Sequence, residues 1–451
     1  MTGDLSSTPP VRSTSPIHYK ADSPSLSSGP SRNHGAAVLE ALDRCRDLLS
    51  ERGEASESKF PHTILGLYTS FDAAARGAFF SGLSERFSVD RLALERAAAT
   101  YAGNPSDDTL QALQQASEAP LRELFLRLSG AAGATAWLVR MREHLLDHGH
   151  DHQAWAGIES DLTYVLRWVF NRSVLDFQQI DLETPAFILE RLIAGEAVHP
   201  VDDWGAMGRR LEADRRCYAF FHPAWPHEPL VFTEVALTRG IAATIQPILD
   251  PDSPVVDPRT CDTAMFYSIS NCQPGLHGFS FGNALLSRAI ERLRTEMPWL
   301  RQFATISPIP GFRSWLSRSP GMGDSSSGIG AWLSRERSRG WANDTIPGEL
   351  QTELLGLCAH YLLHVKQGSE PADPVERFHL GNGARLHRLN SSSDLSPAGI
   401  RRSVGLTVNY VYALSEMERN AETYRRQHDV RAVPEVVRLA RRAAPLLSNP
   451  S

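Results

Sequence analysis

The pattern of hydrophobic and polar positions changes once along the chain, near "EAVHPVDDW" (196–204). From residue 35 to about residue 197, apolar residues recur at helical spacing in long runs, and turn signals such as "GNPSDD" separate some of these runs. Long periodic runs with short breaks predict an all-helical bundle. In the first run, "AAVLEALDRCRDLL", the spacing predicts a buried face made of Val38, Leu39, Leu42, Cys45, Leu48 and Leu49.

The second half of the chain alternates strand-like and helical segments. "RCYAFFHP", "LVFTEVALT", "TAMFYSISNCQ" and "FATIS" are rich in β-branched and aromatic residues and predict four strands. A helical pattern returns at 346–366. The segments "ERFHLGNGARLHRLN" and "VGLTVNYVY" are expected to complete a mixed sheet. "GNALLSRAIERLRTEM" predicts an amphipathic helix with a buried side made of Leu285, Leu286, Ala289, Ile290 and Leu293.

These patterns predict an α+β chain with two domains and two tails. A helical domain (34–197) precedes a mixed α/β domain (198–445), and a length of 451 residues also favours more than one core. The Ser/Pro-rich segment 1–33 predicts a disordered tail, and 446–451 a short C-terminal tail. The Gly/Ser-rich segment 319–332 predicts a mobile loop, with a lid as one interpretation.

Composition narrows the classes of function. The net charge is −6, so no global basic field argues for nucleic acid or an anionic membrane, and an anionic ligand needs a local site. No apolar run approaches the roughly 20 residues that span a bilayer. Five widely spaced cysteines without a C-x-x-C motif favour reduced structural thiols in an intracellular protein.

A strand–loop–helix pattern gives a candidate phosphate site. In "YSISNCQPGLHGFSFGNALLSRAI" a strand breaks at Gln273, and Gly278 and Gly282 lead into the predicted helix. A glycine loop at a helix N-terminus exposes backbone N–H groups and the positive end of the helix dipole, which suits a pyrophosphate. The loop is neither a Walker A motif nor G-x-G-x-x-G, so a structural turn explains the glycines about as well.

Ser307 and His379 are the candidate reactive groups. Ser307 ends the apolar strand "FATIS", and Pro308 and Pro310 stop the strand from continuing. His379 precedes the tight turn of Asn382 and Gly383 and can exchange a proton near neutrality. On spacing alone, a turn hydroxyl and a half-buried strand histidine are the alternative interpretations.

Other polar residues are weaker candidates. "HLLDHGHDH" superficially resembles a metal cluster, but His144 and His148 at a helix end suit the helix dipole equally well, and a structural role is favoured over metal binding. His222, His227, His360 and His387 have no special spacing and default to structural roles. The candidates for the cleft wall, which are otherwise ordinary sheet or turn residues, are Glu234, Tyr267, Asn271, Asn382 and Tyr410.

Long motifs in a fixed order resemble the malonyl-CoA decarboxylase family. They are "HPAWPHEPLVFTEVALT", "FYSISNCQPGLHGFSFGNALL", "ISPIPGF", "DPVERFHLGNGARLHRLN" and "GLTVNYVY", and the likeness extends from about residue 36 to 430. The resemblance implies a helical domain used in homo-oligomerisation, as a dimer or tetramer. It also implies a catalytic domain with the GNAT-like fold, which binds the CoA pyrophosphate at a strand–loop–helix junction.

The resemblance also implies site residues. The catalytic serine of the family corresponds to Ser307 and its catalytic histidine to His379. "HGFSFGN" replaces the more usual Gln-Gly-Val-Glu-Leu-Gly, so that the glycines survive while the side-chain contacts of His277 and Ser280 differ. The implied CoA-contacting loop is His277, Gly278, Phe279, Ser280, Phe281, Gly282 and Asn283.

The implied activity is decarboxylation of malonyl-CoA to acetyl-CoA and CO₂ in fatty acid or malonate metabolism. The thioester carbonyl is itself the electron sink, so the chemistry needs no metal and no cofactor. The expected location is the cytoplasm, or an organellar matrix in a eukaryotic cell. Two alternatives stay open: an acyl-CoA acyltransferase of the same fold, and a silent acyl-CoA sensor, against which the presence of both Ser307 and His379 argues.

Overall fold

The structure is a computed structural model that describes residues 34–50, 59–149, 153–319, 328–339 and 347–448. The predicted tail at 1–33, residues 320–327 of the predicted mobile loop, and residues 449–451 lie outside the described residues.

Helices form the first part of the described chain. Local capping explains several starts: Asp72 accepts a hydrogen bond from Ala75 N at 2.8 Å, and Ser106 forms a capping box with Thr109. The helices are α1 (His34–Leu49), α2 (Phe60–Ser70), α3 (Ala73–Phe87), α4 (Arg91–Gly103), α5 (Asp107–Ser117), α6 (Pro120–Ser129), α7 (Ala134–His148) and α8 (Ala156–Val169).

The predicted buried face of α1 is confirmed at four of its six residues, and Leu49 is half-buried against the same core. Val38, Leu42, Cys45 and Leu48 are buried. Leu39 is 51% exposed, so the prediction that it belongs to the buried face was wrong. Helical spacing alone could not locate the edge of the buried stripe, because neighbouring helices decide how wide that stripe is.

A mixed sheet of seven strands forms the second part. Its order is β1-β2-β3-β4-β5-β9-β8, and only the β4–β5 pair is parallel. A separate hairpin pairs β6 (Lys366–Gln367) with β7 (Glu370–Pro371). The strands of the sheet are β1 (Asp176–Ile180), β2 (Arg215–Phe221), β3 (Val231–Thr238), β4 (Thr263–Asn271), β5 (Gln302–Thr305), β8 (Arg385–Asn390) and β9 (Thr407–Val411).

Helices α9 to α19 connect and cover these strands. The amphipathic helix predicted from the sequence is α12, and all five residues assigned to its buried side are buried. The helices are α9 (Ala186–Gly195), α10 (Trp204–Arg209), α11 (Gln246–Leu249), α12 (Phe281–Glu296), α13 (Phe312–Arg318), α14 (Gly328–Ser338), α15 (Gly348–His364), α16 (Pro374–Gly381), α17 (Pro397–Ser403), α18 (Met417–Gln427) and α19 (Pro434–Ser448).

Three predictions of secondary structure were wrong. Residues 328–332 of the predicted mobile loop begin helix α14, where Ile329 and Trp332 are buried. Residues 176–180, within the stretch predicted to be helical, form edge strand β1, which pairs antiparallel with β2. "DFQQI" buries only Ile180, so it lacks the apolar alternation that marks a strand. His379 lies on helix α16 and not on a strand, because Asp373 caps that helix and Pro374 occupies its first turn.

The parallel strands β4 and β5 diverge at the centre of the sheet. Their pairing ends at Phe266 and Thr305, whereas β4 runs on to Asn271. On its other side β5 pairs with β9 at Ala304 and Val411, and a bridge between Ser307 and Val408 continues that pairing. The divergence opens a cleft between the end of β4 and Ser307.

Candidate active site

Backbone hydrogen bonds fix Ser307 at the mouth of this cleft. Its N–H donates to Val408 O at 2.9 Å, and Val408 N–H donates to Ser307 O at 3.0 Å. Pro308 follows and holds the chain away from further pairing. The serine is buried, with 5% of its surface exposed, and its hydroxyl lines a cavity.

Asp373 connects the serine segment to the helix that carries the histidine. Its Oδ1 accepts hydrogen bonds from Val375 N at 3.0 Å and Glu376 N at 3.2 Å, which caps α16. Its Oδ2 accepts from Gly311 N at 3.1 Å, in the turn that follows Ser307. One buried carboxylate therefore fixes the two segments relative to each other.

Ser307 and His379 contact each other directly. The distance from Ser307 Oγ to His379 Nε2 is 3.0 Å. On the other side of the ring, His379 Nδ1 lies 2.7 Å from the hydroxyl of Tyr412. Tyr410 stacks on the imidazole, with ring centroids 4.6 Å apart and planes at 27°. The imidazole is thus fixed at both nitrogens and on one face.

Burial keeps His379 neutral. It lowers the pKa of the imidazole to about 3, because the charged form would lose its hydration. Burial also raises the pKa of Tyr412 well above its ordinary value, so that its hydroxyl keeps its proton.

The hydroxyl directions define one tautomer. Ser307 Oγ–H donates to Thr305 Oγ1 at 2.8 Å, so Ser307 Oγ accepts from His379 Nε2–H. Tyr412 O–H then donates to Nδ1. The result is an uncharged chain of hydrogen bonds from Tyr412 through His379 to Ser307 and Thr305.

The cavity of about 380 Å³ brings together most of the residues predicted for the site. Of the described residues that line it, none is a lysine or an arginine. Predicted residues in its lining are Ser307, His379, Tyr267, Asn271, Gly278, Phe279, Ser280, Gly282 and Asn283.

The other predicted residues lie beside the cavity or apart from it. Asn382 donates to Asn283 Oδ1 at 3.0 Å and so supports the loop. Phe281 is in the hydrophobic core. His277 does not line the cavity, and its carbonyl accepts a hydrogen bond from Arg142 Nη1. Glu234 forms a buried ion pair with Arg210, 2.6 Å apart, and does not line the cavity.

Tyr410 packs against His379 and does not line the cavity. Burial raises its pKa well above the ordinary value. A buried phenol of this kind is a poor proton donor, which argues against an acid role for Tyr410.

The glycine loop runs as the sequence predicts. Gly278 has φ +86°, a conformation that favours glycine, and a Cβ on Gly282 would lie 3.0 Å from the Phe378 ring. Helix α12 begins at Phe281, and its N-cap Ser280 makes no side-chain cap bond. The backbone N–H groups of its first turn therefore face the loop region without a side-chain partner from the N-cap.

Sequence reasoning missed Thr305, Tyr412 and Asp373. Tyr412 follows β9, so strand alternation gives no sign that its hydroxyl meets a histidine. Asp373 precedes Pro374, which is a helix-start signal, yet its bond to Gly311 spans 62 residues of sequence.

The histidine-rich segment has a structural role in the described part. His144 Nδ1 lies 2.8 Å from the Tyr68 hydroxyl and its Nε2 3.1 Å from Arg76. No group of three or more His, Cys, Asp or Glu side chains that could hold a metal occurs among the residues that were placed. His152 lies outside them.

The fold and the site together define an α+β enzyme. It has a helical part, a mixed sheet in which β4 and β5 separate, a cavity with a serine–histidine pair, and a loop suited to a phosphate-bearing ligand. Two family models match the chain: the malonyl-CoA decarboxylase N-terminal domain over residues 87–170 and the C-terminal domain over residues 173–448. The chain belongs to the malonyl-CoA decarboxylase family.

Individual relatives agree. The mitochondrial malonyl-CoA decarboxylase of Anser anser anser is 30% identical over 457 residues, which cover 90% of this chain and 89% of that protein. Crystal structures of malonyl-CoA decarboxylase from Agrobacterium vitis and Rhodopseudomonas palustris are 40% and 39% identical. Each alignment covers 89% of this chain and 99% of the crystallised chain, with TM-scores of 0.81 and 0.80.

These comparisons confirm three predictions from the sequence. The family, the α+β fold class and the activity of a carboxy-lyase acting on malonyl-CoA are confirmed. Among the described residues, no helix is long and apolar enough to cross a membrane.

Proposed function

We propose that malonyl-CoA loses CO₂ in the cavity beside Ser307 and His379, and that these two side chains carry the chemistry. The observation that supports this most strongly is their contact, with Ser307 Oγ 3.0 Å from His379 Nε2, in a cavity that the glycine loop also lines. The malonyl group enters the cavity while the CoA pyrophosphate rests on the first turn of α12.

The uncharged cavity favours loss of the carboxylate. Because no described lysine or arginine lines the cavity, the substrate carboxylate meets no permanently charged cation there, and desolvation raises its free energy. The bond between the carboxylate carbon and the α-carbon breaks, and CO₂ leaves. Its electron pair forms an enolate with negative charge on the thioester oxygen.

Ser307 stabilises that oxygen. In the free enzyme its hydroxyl donates to Thr305, and a rotation about its side chain redirects the same hydrogen toward the cavity. The backbone bonds to Val408 hold the serine in place during this rotation. A positioned donor acting where charge develops is worth roughly a hundredfold or more in rate.

His379 supplies the proton to the α-carbon. The substrate carboxylate raises the pKa of the nearby imidazole above its value of about 3 in the free enzyme, because opposite charges attract strongly in a desolvated cavity. The imidazole takes up one solvent proton with the substrate. The α-carbon then receives the proton from Nε2, and the enolate becomes the thioester of acetyl-CoA.

We also propose that the chain forms a homo-oligomer, a dimer or a tetramer, through its helical part. Helices α4 and α5 have no buried residue among those described, and Leu92 on α4 is 65% exposed. A helical pair that buries nothing within its own chain suits contact with a second copy. Light scattering would give the oligomeric state, and Leu92→Glu would lower it.

The proposed location is the cytoplasm, or an organellar matrix in a eukaryotic cell. The curated relatives from goose and rat carry the name mitochondrial.

The direct test is incubation of the purified protein with malonyl-CoA and no acceptor. We expect equal amounts of CO₂ and acetyl-CoA. An acyltransferase would need an acceptor, and a silent sensor would bind malonyl-CoA and leave it unchanged. Loss of activity in Ser307→Ala and His379→Asn, with CoA binding retained, would assign the reaction to this cavity.

A further inference from the structure

The helical part forms one wall of the CoA loop. Arg142 of α7 is buried, and its Nη1 donates to Gly275 O at 2.8 Å and to His277 O at 2.9 Å. A Cβ on Gly275 would lie 1.9 Å from Val139 O, also on α7. This close approach requires glycine at residue 275, so α7 and the base of the loop pack as one unit.

Three arginines of the helical side meet the loop, and they differ in their partners. Arg142 is paired with Glu159, 2.9 Å away, so its charge is compensated. Arg167 on α8 lies over the Phe279 ring, with its Cζ 5.4 Å from the ring centroid. Arg172 donates from Nη2 to Ser280 O at 3.3 Å. Within the described residues, neither Arg167 nor Arg172 forms an ion pair.

The position of these two charges is unfavourable without an anion. Ser280 is the N-cap of α12, so Arg172 lies at the positive end of that helix dipole. Arg167 adds a second positive charge against the same loop. Like charges collected at a helix N-terminus repel one another, and an arriving phosphate would relieve that repulsion with bidentate, charge-assisted hydrogen bonds.

We propose that Arg167 and Arg172 bind the phosphates of CoA, so that the helical part contributes cationic ligands to the substrate site. This inference rests on the proposed function, which places the pyrophosphate at α12. The common chemistry is a phosphate group, and the two sources within CoA are the pyrophosphate and the 3′-phosphate. Arg142 holds the loop through its carbonyls and leaves the phosphates to the other two arginines.

The test compares substrates that carry fewer phosphates. Malonyl-CoA, malonyl-dephospho-CoA and S-malonyl-pantetheine share the reacting group but have all, two or none of the phosphates. For Arg167→Ala/Arg172→Ala we expect KM for malonyl-CoA to rise about a hundredfold, roughly tenfold for each lost charged hydrogen bond, with kcat unchanged. Kinetics with S-malonyl-pantetheine should not change.

Two further variants and one ligand series make the result specific. Arg425→Ala removes an exposed arginine of α18 whose Nε donates to Ala421 O of the same helix, and it should change nothing. Arg142→Ala should impair all three substrates, because it loosens the loop. A loss in the double variant that is smaller with malonyl-dephospho-CoA assigns an arginine to the 3′-phosphate, and an equal loss assigns both to the pyrophosphate.

Two outcomes would overturn the inference. Equal losses on malonyl-CoA and S-malonyl-pantetheine would mean that the arginines only support the loop, and an unchanged KM for malonyl-CoA would mean that they touch no phosphate. Calorimetric binding of CoA and of pantetheine gives the same comparison without turnover. An inactive wild-type protein would therefore contradict the proposed function, while the arginines would still be tested.

Discussion

The two ends of the proposed substrate site differ in the charge of their side chains. At the reacting end, Ser307, His379 and Tyr412 form a buried, uncharged chain of hydrogen bonds. At the loop, Arg167 and Arg172 are exposed and positively charged. A permanent carboxylate must become unstable at the first end, whereas permanent phosphates must bind firmly at the second. Changes at the reacting end should therefore lower kcat, and changes at the loop should raise KM.

The largest effect that separates the two ends is expected from His379→Asn. Asparagine keeps a hydrogen-bonding side chain but cannot deliver a proton at neutral pH. Turnover should fall by roughly a hundredfold to ten-thousandfold, the range for a general acid. Steady-state kinetics and CoA titration should show a low kcat with an unchanged dissociation constant. A parallel loss of CoA binding would contradict the claim that changes at the reacting end affect only kcat.

Ser307→Ala should produce the next largest loss. The variant removes one donor to the enolate oxygen, so we expect decarboxylation to fall by on the order of a hundredfold. The fold should survive because the backbone bonds to Val408 do not involve the side chain. Circular dichroism checks the fold. Activity within a few-fold of the wild type, with unchanged CoA affinity, would remove Ser307 from the mechanism.

A smaller effect is expected from Asp373→Asn. This variant tests whether catalysis depends on the position of the Ser307 segment relative to helix α16, which carries His379. Asparagine can still cap α16 with its oxygen, but its amide cannot accept the bond from Gly311 N. We expect kcat to fall roughly tenfold, with KM for malonyl-CoA nearly unchanged. Asp203→Asn, at the N-cap of α10, is the matched control and should retain full activity. Equal effects of both variants would indicate a loss of stability alone.

Local sequence patterns could predict the parts of the site that lie in single segments. The proline-terminated strand and the glycine loop before α12 each follow from a few adjacent residues, and the structure places both at the cavity. The resemblance added the expectation that Ser307 and His379, which are 72 positions apart, serve one reaction.

Properties set by tertiary packing could not be predicted. The neutral state of His379 follows from its burial, and Tyr410 of the distant strand β9 stacks on the imidazole. Edge strand β1 takes its conformation from pairing with β2, not from its own apolar pattern. Leu39 had the correct spacing for the core, yet no helix among the described residues covers it.

The charge state of His379 also affects stability at low pH. Its pKa of about 3 in the folded protein is lower than the ordinary value near 6.5 in an unfolded chain. Below pH 6.5 the unfolded state therefore binds more protons, and the free energy of unfolding falls by at most about 1.4 kcal/mol per pH unit through this group. Above pH 6.5 both states are neutral and the contribution is constant.

The most direct test of the account is an NMR titration of the His379 imidazole with two unreactive ligands. Carboxymethyl-CoA carries a carboxylate at the reacting end, and S-ethyl-CoA is its uncharged counterpart. We predict that His379 stays neutral, down to the pH of acid unfolding, in the free protein and with S-ethyl-CoA. Carboxymethyl-CoA should raise its pKa clearly. A free-enzyme pKa near 6.5, or the same pKa with both ligands, would contradict the proposal that the substrate carboxylate charges His379.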